Sequence, residues 1–138
     1  MADNFQIFPI GIIRKKAKDI FIEVHHRYKD ALLGLDQFSH IIVCFWFHKN
    51  DSPEKRNTLQ VHPRGEKTNP LTGVFATRSP QRPNLIALST CKILAIDGNI
   101  IRIDKIDALN GTPVIDIKPY LLSTDMKSDI KAPGWAKK

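Results

Sequence analysis

The sequence predicts an all-β (mainly β) chain, one domain over residues 1–138, closed into a barrel or strongly curved sheet of about seven strands with one or two short helical turns. Three observations carry this. Short runs rich in β-branched and aromatic residues recur along the chain. Gly, Pro, Asn and Asp punctuate them, and no stretch has the 3.6-residue periodicity of a long helix. Closing the sheet removes the edges that an open sheet has to protect.

Each element follows in order. FQIFPIGIIR suits a strand, with Pro9 tolerated at an edge or bulge. IFIEVHHRY alternates, placing Ile20, Ile22 and Val24 on one face and Phe21, Glu23 and His25 on the other. YKDALLGLDQFS predicts a short helical turn closed at Gly34, with Leu32, Leu33 and Leu35 given to the core. HIIVCFWFH is almost continuously apolar, the pattern of a central strand covered on both faces.

From Lys49 to Thr72 large aliphatics are scarce, and a loop this long is expected to be functional or disordered. GVFATR then reads as a short strand, RSPQRPN as a stiff turn and LIALSTCKILAID as a long strand with room for a bulge. DGN turns into IIRIDKI, LNGTP turns again, and VIDIKPY alternates until Pro119 ends it. In the tail, LLSTDMKSDIKAPGWAKK, Trp135 is the residue expected to dock.

Composition narrows the class of function. With 21 Lys and Arg against 14 Asp and Glu the chain carries +7 and a pI near 9.6, a balance that favours polyanionic partners. The C-terminal stretch adds Lys127, Lys131, Lys137 and Lys138 against Asp125 and Asp129. No apolar run reaches the ~18 residues of a membrane span. The N-terminus, MADNFQIFPIGIIR, has an acid where a signal peptide wants a base and is read as mature cytoplasmic sequence. Cys44 and Cys91 sit in apolar strand-like runs, as buried thiols do.

The chemistry-bearing motifs are few. There is no glycine-rich phosphate loop and no nucleophile elbow around any serine. The five histidines form no H-x3-H pair, so no metal site is expected. RSPQRPN stands out: Pro80 and Pro83 fix the backbone and push Ser79 and Arg82 toward extended conformations, presenting Arg78 and Arg82 in advance to a carboxylate or phosphate. A proline-rich surface turn with solvated arginines satisfies the same local physics.

GVFATRSPQRPNLIALSTCKIL followed by NGTPVIDIKPYL, with GLDQFSHIIVCFWFHKN before them, closely resembles the TsaA-like (YaeB/TrmO) family over Phe5 to Trp135. That resemblance implies a TsaA-like β-barrel and an S-adenosylmethionine-dependent methyltransferase. It implies tRNA as partner, N6-threonylcarbamoyladenosine next to the anticodon as acceptor, and a homodimer. Matched residue by residue, the family's cofactor contacts fall on His48, Lys49, Arg78, Leu88 and the segment Asp104, Lys105, Ile106 and Asp107. Arg82 and Asn84, with Asp116, Lys118 and Tyr120 of VIDIKPY, match family motif positions that have a general part in the pocket, and Arg82, Asn84 and Lys118 are expected to bind the substrate. Asp116 and Tyr120 are candidates to take the acceptor's proton, with His48 as a further candidate base; pairing of Asp116 with Lys118 or Lys105, and packing of Tyr120, is the competing reading.

The sequence departs from the family in three places. RKKAKDIFIEV replaces a cofactor-contacting PRQPG-like segment, leaving Arg14, Lys15 or Lys16 to supply that part; Gln81 and Leu85-Ile86-Ala87 replace more usual residues; and the extra C-terminal domain of longer members is not expected. Two other functions fit the same sequence: a non-catalytic RNA-binding module of this fold, and a small-molecule methyltransferase using Lys49 to Thr72 as a lid.

Overall fold

The computed structural model describes residues 3–137; Met1 and Ala2, used above for the N-terminus, and Lys138 of the basic tail lie outside them. Six strands close a barrel in the order β1-β2-β7-β6-β3-β8: β1 Gly11–Lys16, β2 Asp19–Val24, β3 His40–Trp46, β6 Ile86–Asp97, β7 Ile100–Ile103 and β8 Pro113–Pro119. Two short strands, β4 Gln60–Val61 and β5 Thr72–Gly73, pair with each other. The all-β prediction and the barrel are therefore what the chain adopts.

The pairing follows from local chemistry. β1 and β2 form a hairpin in register Gly11↔Val24 to Lys16↔Asp19, leaving Ala17 and Lys18 as its two-residue turn. Ala17 takes φ +54°, a conformation glycine adopts more readily. Gly98, φ +62°, makes the turn between β6 and β7. The β6–β7 register shifts between Ile93 and Ala95, so the long strand is bulged as its pattern allowed. β8 closes the barrel against β1 through Gly11↔Val114. At this point a side chain does not fit, because a Cβ on Gly11 would stand 2.6 Å from the Glu23 carbonyl oxygen.

Two compact units divide the chain. The first runs to Trp46 and resumes over Leu88–Tyr120; its core is the alternating set Ile13, Ile22, Val24, Ile41, Val43, Phe45, Cys91, Ile101, Ile103 and Val114. On β3 the opposite face is also shielded, with Cys44 buried and Ile42 half-buried, as the continuous apolar run requires. The second unit comprises Phe47–Ala87 and the tail from Leu121, with Val74, Leu85, Ala87 and Pro63 buried.

Four expectations are corrected. Phe5 to Pro9 precede β1 outside the sheet, and only Ile10 extends its hydrogen bonding, donating to Val114 O at 2.7 Å and accepting from His25 N at 2.8 Å. Leu33 is 95% exposed, because the chain bends between two 3-10 turns, His26–Leu32 and Leu35–Gln37, at Gly34 with φ +88°. Residues 49–72 are not structureless: a 3-10 turn, α1 (Pro53–Arg56) and the β4–β5 pair order them. GVFATR is mostly a 3-10 turn, Val74–Ala76, that buries Val74. In the tail, α2 (Leu122–Asp125) precedes a turn that half-buries Trp135.

Candidate functional site

In the second unit, RSPQRPN is a closed hydrogen-bonded loop. Thr77 Oγ1 donates to Val74 O at 2.8 Å and accepts from Ser79 N at 3.1 Å; Ser79 Oγ in turn accepts from Gln81 N at 3.2 Å. These are the short side-chain-to-backbone bonds with which Ser and Thr fix turns. The loop's two arginines then behave differently. Arg82 folds inward, donating from Nη1 to Thr77 O (3.2 Å) and Ser79 O (3.0 Å) and from Nη2 to Val74 O (3.2 Å). Arg78 is exposed and takes part in none of the ion pairs among the described residues. The expectation of two outward forks is thus corrected to one, because the carbonyls of a tight loop are the nearest acceptors for the other.

A residue the sequence reading missed braces the same loop. Arg56, the last residue of α1, donates from Nε to Pro83 O at 2.9 Å, from Nη2 to Asn84 Oδ1 at 3.5 Å, and from Nη1 to Asp51 Oδ1 at 3.2 Å. The only advance signal was an arginine at the end of a turn that Ser52 and Pro53 start well: Ser52 Oγ caps α1 by accepting from Lys55 N at 3.3 Å. Phe47 N donates to Leu85 O at 2.9 Å just beyond the loop. His48, half-buried, and Lys49, exposed, occupy the 3-10 turn after β3.

In the first unit the segment after β7 is a carboxylate-organised turn. Asp104 Oδ1 accepts from Lys92 N and from Lys105 N, both at 2.8 Å, tying β6 to the end of β7. Partial desolvation pushes this carboxyl up, but backbone N–H groups and the Lys105 charge together outweigh it and hold the group below the usual carboxylate value. Ile106 is buried, so its side chain is core and its backbone is what the turn offers; its carbonyl accepts from Lys15 Nζ at 3.4 Å. Lys15 N also donates to Asn110 Oδ1 at 2.8 Å. Of the three basic residues offered in place of the missing segment, Lys15 is therefore the one brought to the 104–107 turn. Lys105 and Asp107 are exposed, and Leu88, 48% exposed, faces outward from β6.

On β8, Asp116 accepts from Ile117 N at 2.9 Å and pairs with Lys118 Nζ at 3.0 Å. Hydrogen bonding to Asp116 and its charge raise the Lys118 ammonium above its ordinary value. Tyr120 is half-buried, its ring tilted at 59° to that of His40 with centroids 6.4 Å apart. Both contacts named in the competing reading are present, Asp116 with Lys118 and Tyr120 beside His40. Asp116 also lines an open cleft of about 550 Å³ walled by Val24, Tyr28, Leu32, Phe38 and Ile117. No group of three His, Cys, Asp or Glu that could hold a metal ion occurs among the described residues, nor any helix long and apolar enough to cross a membrane.

His48, Lys49, Arg78, Arg82 and Asn84 thus belong to the second unit, and Leu88, Asp104, Lys105, Ile106, Asp107, Asp116, Lys118 and Tyr120 to the first.

Comparison with known proteins places these residues within one family. Residues 5–126 match the model of the tRNA-methyltransferase O N-terminal domain. A protein of Methanocaldococcus jannaschii described as a probable S-adenosyl-L-methionine-binding protein is 52% identical over 116 residues, covering 84% of this chain and 92% of its own. The human tRNA (adenine(37)-N6)-methyltransferase is 42% identical over 118 residues, which are 84% of this chain and 25% of that enzyme. The crystal structure of TrmO from Pseudomonas aeruginosa superimposes with a TM-score of 0.75 at 29% identity, covering 98% of this chain and 63% of that one. This chain therefore spans most of the archaeal relative's length but a minor part of the human enzyme's.

Proposed function

The chain belongs to the family of the tRNA-methyltransferase O N-terminal domain, whose model its residues 5–126 match, and on that premise we propose that it is an S-adenosylmethionine-dependent tRNA methyltransferase acting on N6-threonylcarbamoyladenosine next to the anticodon. The observation that carries this is the family match itself, which runs unbroken through the braced loop, the 104–107 turn and β8. A single domain over 1–138 is proposed with it, and the match supports this over residues 5–126. We further propose a homodimer working in the cytoplasm. A second copy would cover some of the large apolar side chains left exposed, among them Phe5, Phe8 and Leu33 in the first unit and Phe75, Leu122 and Ile130 in the second.

The residues present fit the chemistry of the proposed cofactor. Arg78 offers a planar fork to its carboxylate, and Asp104, held ionised by its N–H donors, and Asp107 offer acceptors to ribose hydroxyls. Bound S-adenosylmethionine supplies an electrophilic methyl group on a sulfonium. The chain's part is then to align the acceptor, exclude water and receive the proton that the acceptor nitrogen loses, for which Asp116 and Tyr120 are the residues proposed. Arg82, Asn84 and Lys118 are proposed on the tRNA side, with Arg82 acting through the shape of its loop.

Two measurements test this reading. S-adenosylmethionine or S-adenosylhomocysteine should raise the melting temperature of the wild-type protein and not that of Arg78→Ala. Incubation with labelled cofactor and bulk tRNA from a strain lacking the modification should yield a methylated threonylcarbamoyladenosine by nucleoside mass spectrometry. Salt-dependent tRNA binding without any cofactor response would favour a binding module instead, and cofactor binding without tRNA affinity a small-molecule enzyme.

A further inference from the structure

We infer that Arg56 is a positioning residue for the cofactor loop: it clamps the C-terminal half of RSPQRPN from outside while Arg82 clamps the N-terminal half from inside. Their joint effect is to hold the Arg78 guanidinium in place. The inference rests on the reading that Arg78 contacts the cofactor.

The geometry is specific. Arg82 spends its two terminal nitrogens on the carbonyls of Val74, Thr77 and Ser79, all on the N-terminal side of Pro80. Nothing in that set reaches Pro83 or Asn84. Pro83 brings no N–H, so its carbonyl is the polar backbone group that position offers; Arg56 Nε takes it at 2.9 Å. The same guanidinium reaches the Asn84 side chain and is held from behind by Asp51. One planar group therefore has three acceptors at once, which a lysine ammonium on a single flexible stem does not reproduce. Two prolines stiffen the loop's interior, and the two arginines fix its two halves. A preformed loop does not have to be ordered when the ligand arrives, so affinity is gained without a contact from Arg56 to the ligand.

The experiment is a double-mutant cycle on the intact protein, read by isothermal titration with S-adenosylhomocysteine and by thermal melting in its absence. Arg78→Ala should lose the direct contact, weakening binding by at least tenfold. Arg56→Ala should weaken it by about tenfold, and Arg56→Ala/Arg78→Ala should be no weaker than Arg78→Ala alone, since Arg56 acts through a group that is then gone. Arg56→Lys, which keeps the charge and fills much of the volume, should still show most of the loss; it stands in if Arg56→Ala does not fold. In tRNA methylation, Arg56→Lys should raise KM for the cofactor while leaving kcat within about twofold at saturation. Unchanged affinity in both Arg56 variants overturns the inference, as does a loss that multiplies with that of Arg78→Ala. If wild type binds no cofactor, the functional reading fails along with it; if wild type and Arg78→Ala behave as expected and Arg56 does not, only the positioning role fails.

Discussion

Raising the pH should weaken this protein through one buried thiol. Cys91 lies on β6 with no accessible surface, facing the barrel core. Burial, reinforced by the nearby Asp104 carboxylate, pushes its pKa from 9.0 to about 11. The folded state therefore resists losing this proton more than the unfolded chain does. Its contribution is complete below pH 9 and is lost as the pH rises toward 11. At about 1.4 kcal/mol per pH unit of difference, wild type should lose on the order of 1 kcal/mol by pH 10 and roughly 2 kcal/mol by pH 11 from this group alone. Lysines and tyrosines titrate in the same range, so the comparison has to be differential. Urea denaturation midpoints at pH 7, 8, 9, 10 and 11 are converted to free energies for wild type and for Cys91→Ala. The variant starts lower by its cavity cost, and the gap should narrow by about 2 kcal/mol between pH 8 and pH 11. Parallel curves across that range would refute the assignment and mean that the thiol is solvated or deprotonates through local opening.

Other substitutions address the loop and the hairpins. Arg82→Ala removes three bonds of 3.0–3.2 Å from a half-buried guanidinium and should cost about 2–3 kcal/mol in chemical denaturation; Arg82→Lys should recover less than half of that. Gly11→Ala would press a Cβ against the Glu23 carbonyl on the paired strand. It should lower stability by about 1–3 kcal/mol, or prevent folding. Ala17→Gly should do the opposite, raising stability by about 0.5–1 kcal/mol as it relieves the positive φ of the β1–β2 turn, which thermal melting can detect.

What the sequence revealed and what it concealed divide along contact distance. Strands such as β2 and β8 were legible from their local alternation and β3 from its continuous apolar run, and the DGN and NGTP turns because Gly98 and Gly111 have positive φ where those turns need it. Leu33 misled because hydrophobicity alone assigned it to the core, whereas the bend at Gly34 turns it outward. GVFATR has strand composition, yet Thr77 N closes a 3-10 turn onto Val74 O instead. In the candidate site, the stiffness of RSPQRPN could be read from its prolines. The inward fold of Arg82 depends on where three carbonyls lie, and the brace from Arg56 joins residues 27 positions apart. No periodicity reports a bond of that kind. The pairing of Asp116 with Lys118 was visible as an alternative, since residues two apart on a strand share a face.

Closing the sheet through β1 and β8 also has a consequence on the ribosome. β1 is the first barrel strand synthesised and β8 the last, and the seam joins them at Gly11↔Val114. At about 5–20 residues per second, β1 waits on the order of 5–20 s for that partner, with only its β2 edge satisfied. During this interval the free edge could recruit a strand from a neighbouring nascent chain. Pro9 just before it and the charged run Arg14, Lys15 and Lys16 along it are the residues that discourage such pairing. Exchanging Arg14, Lys15 and Lys16 for neutral residues should therefore appear first as co-translational aggregation, before any change in the finished protein.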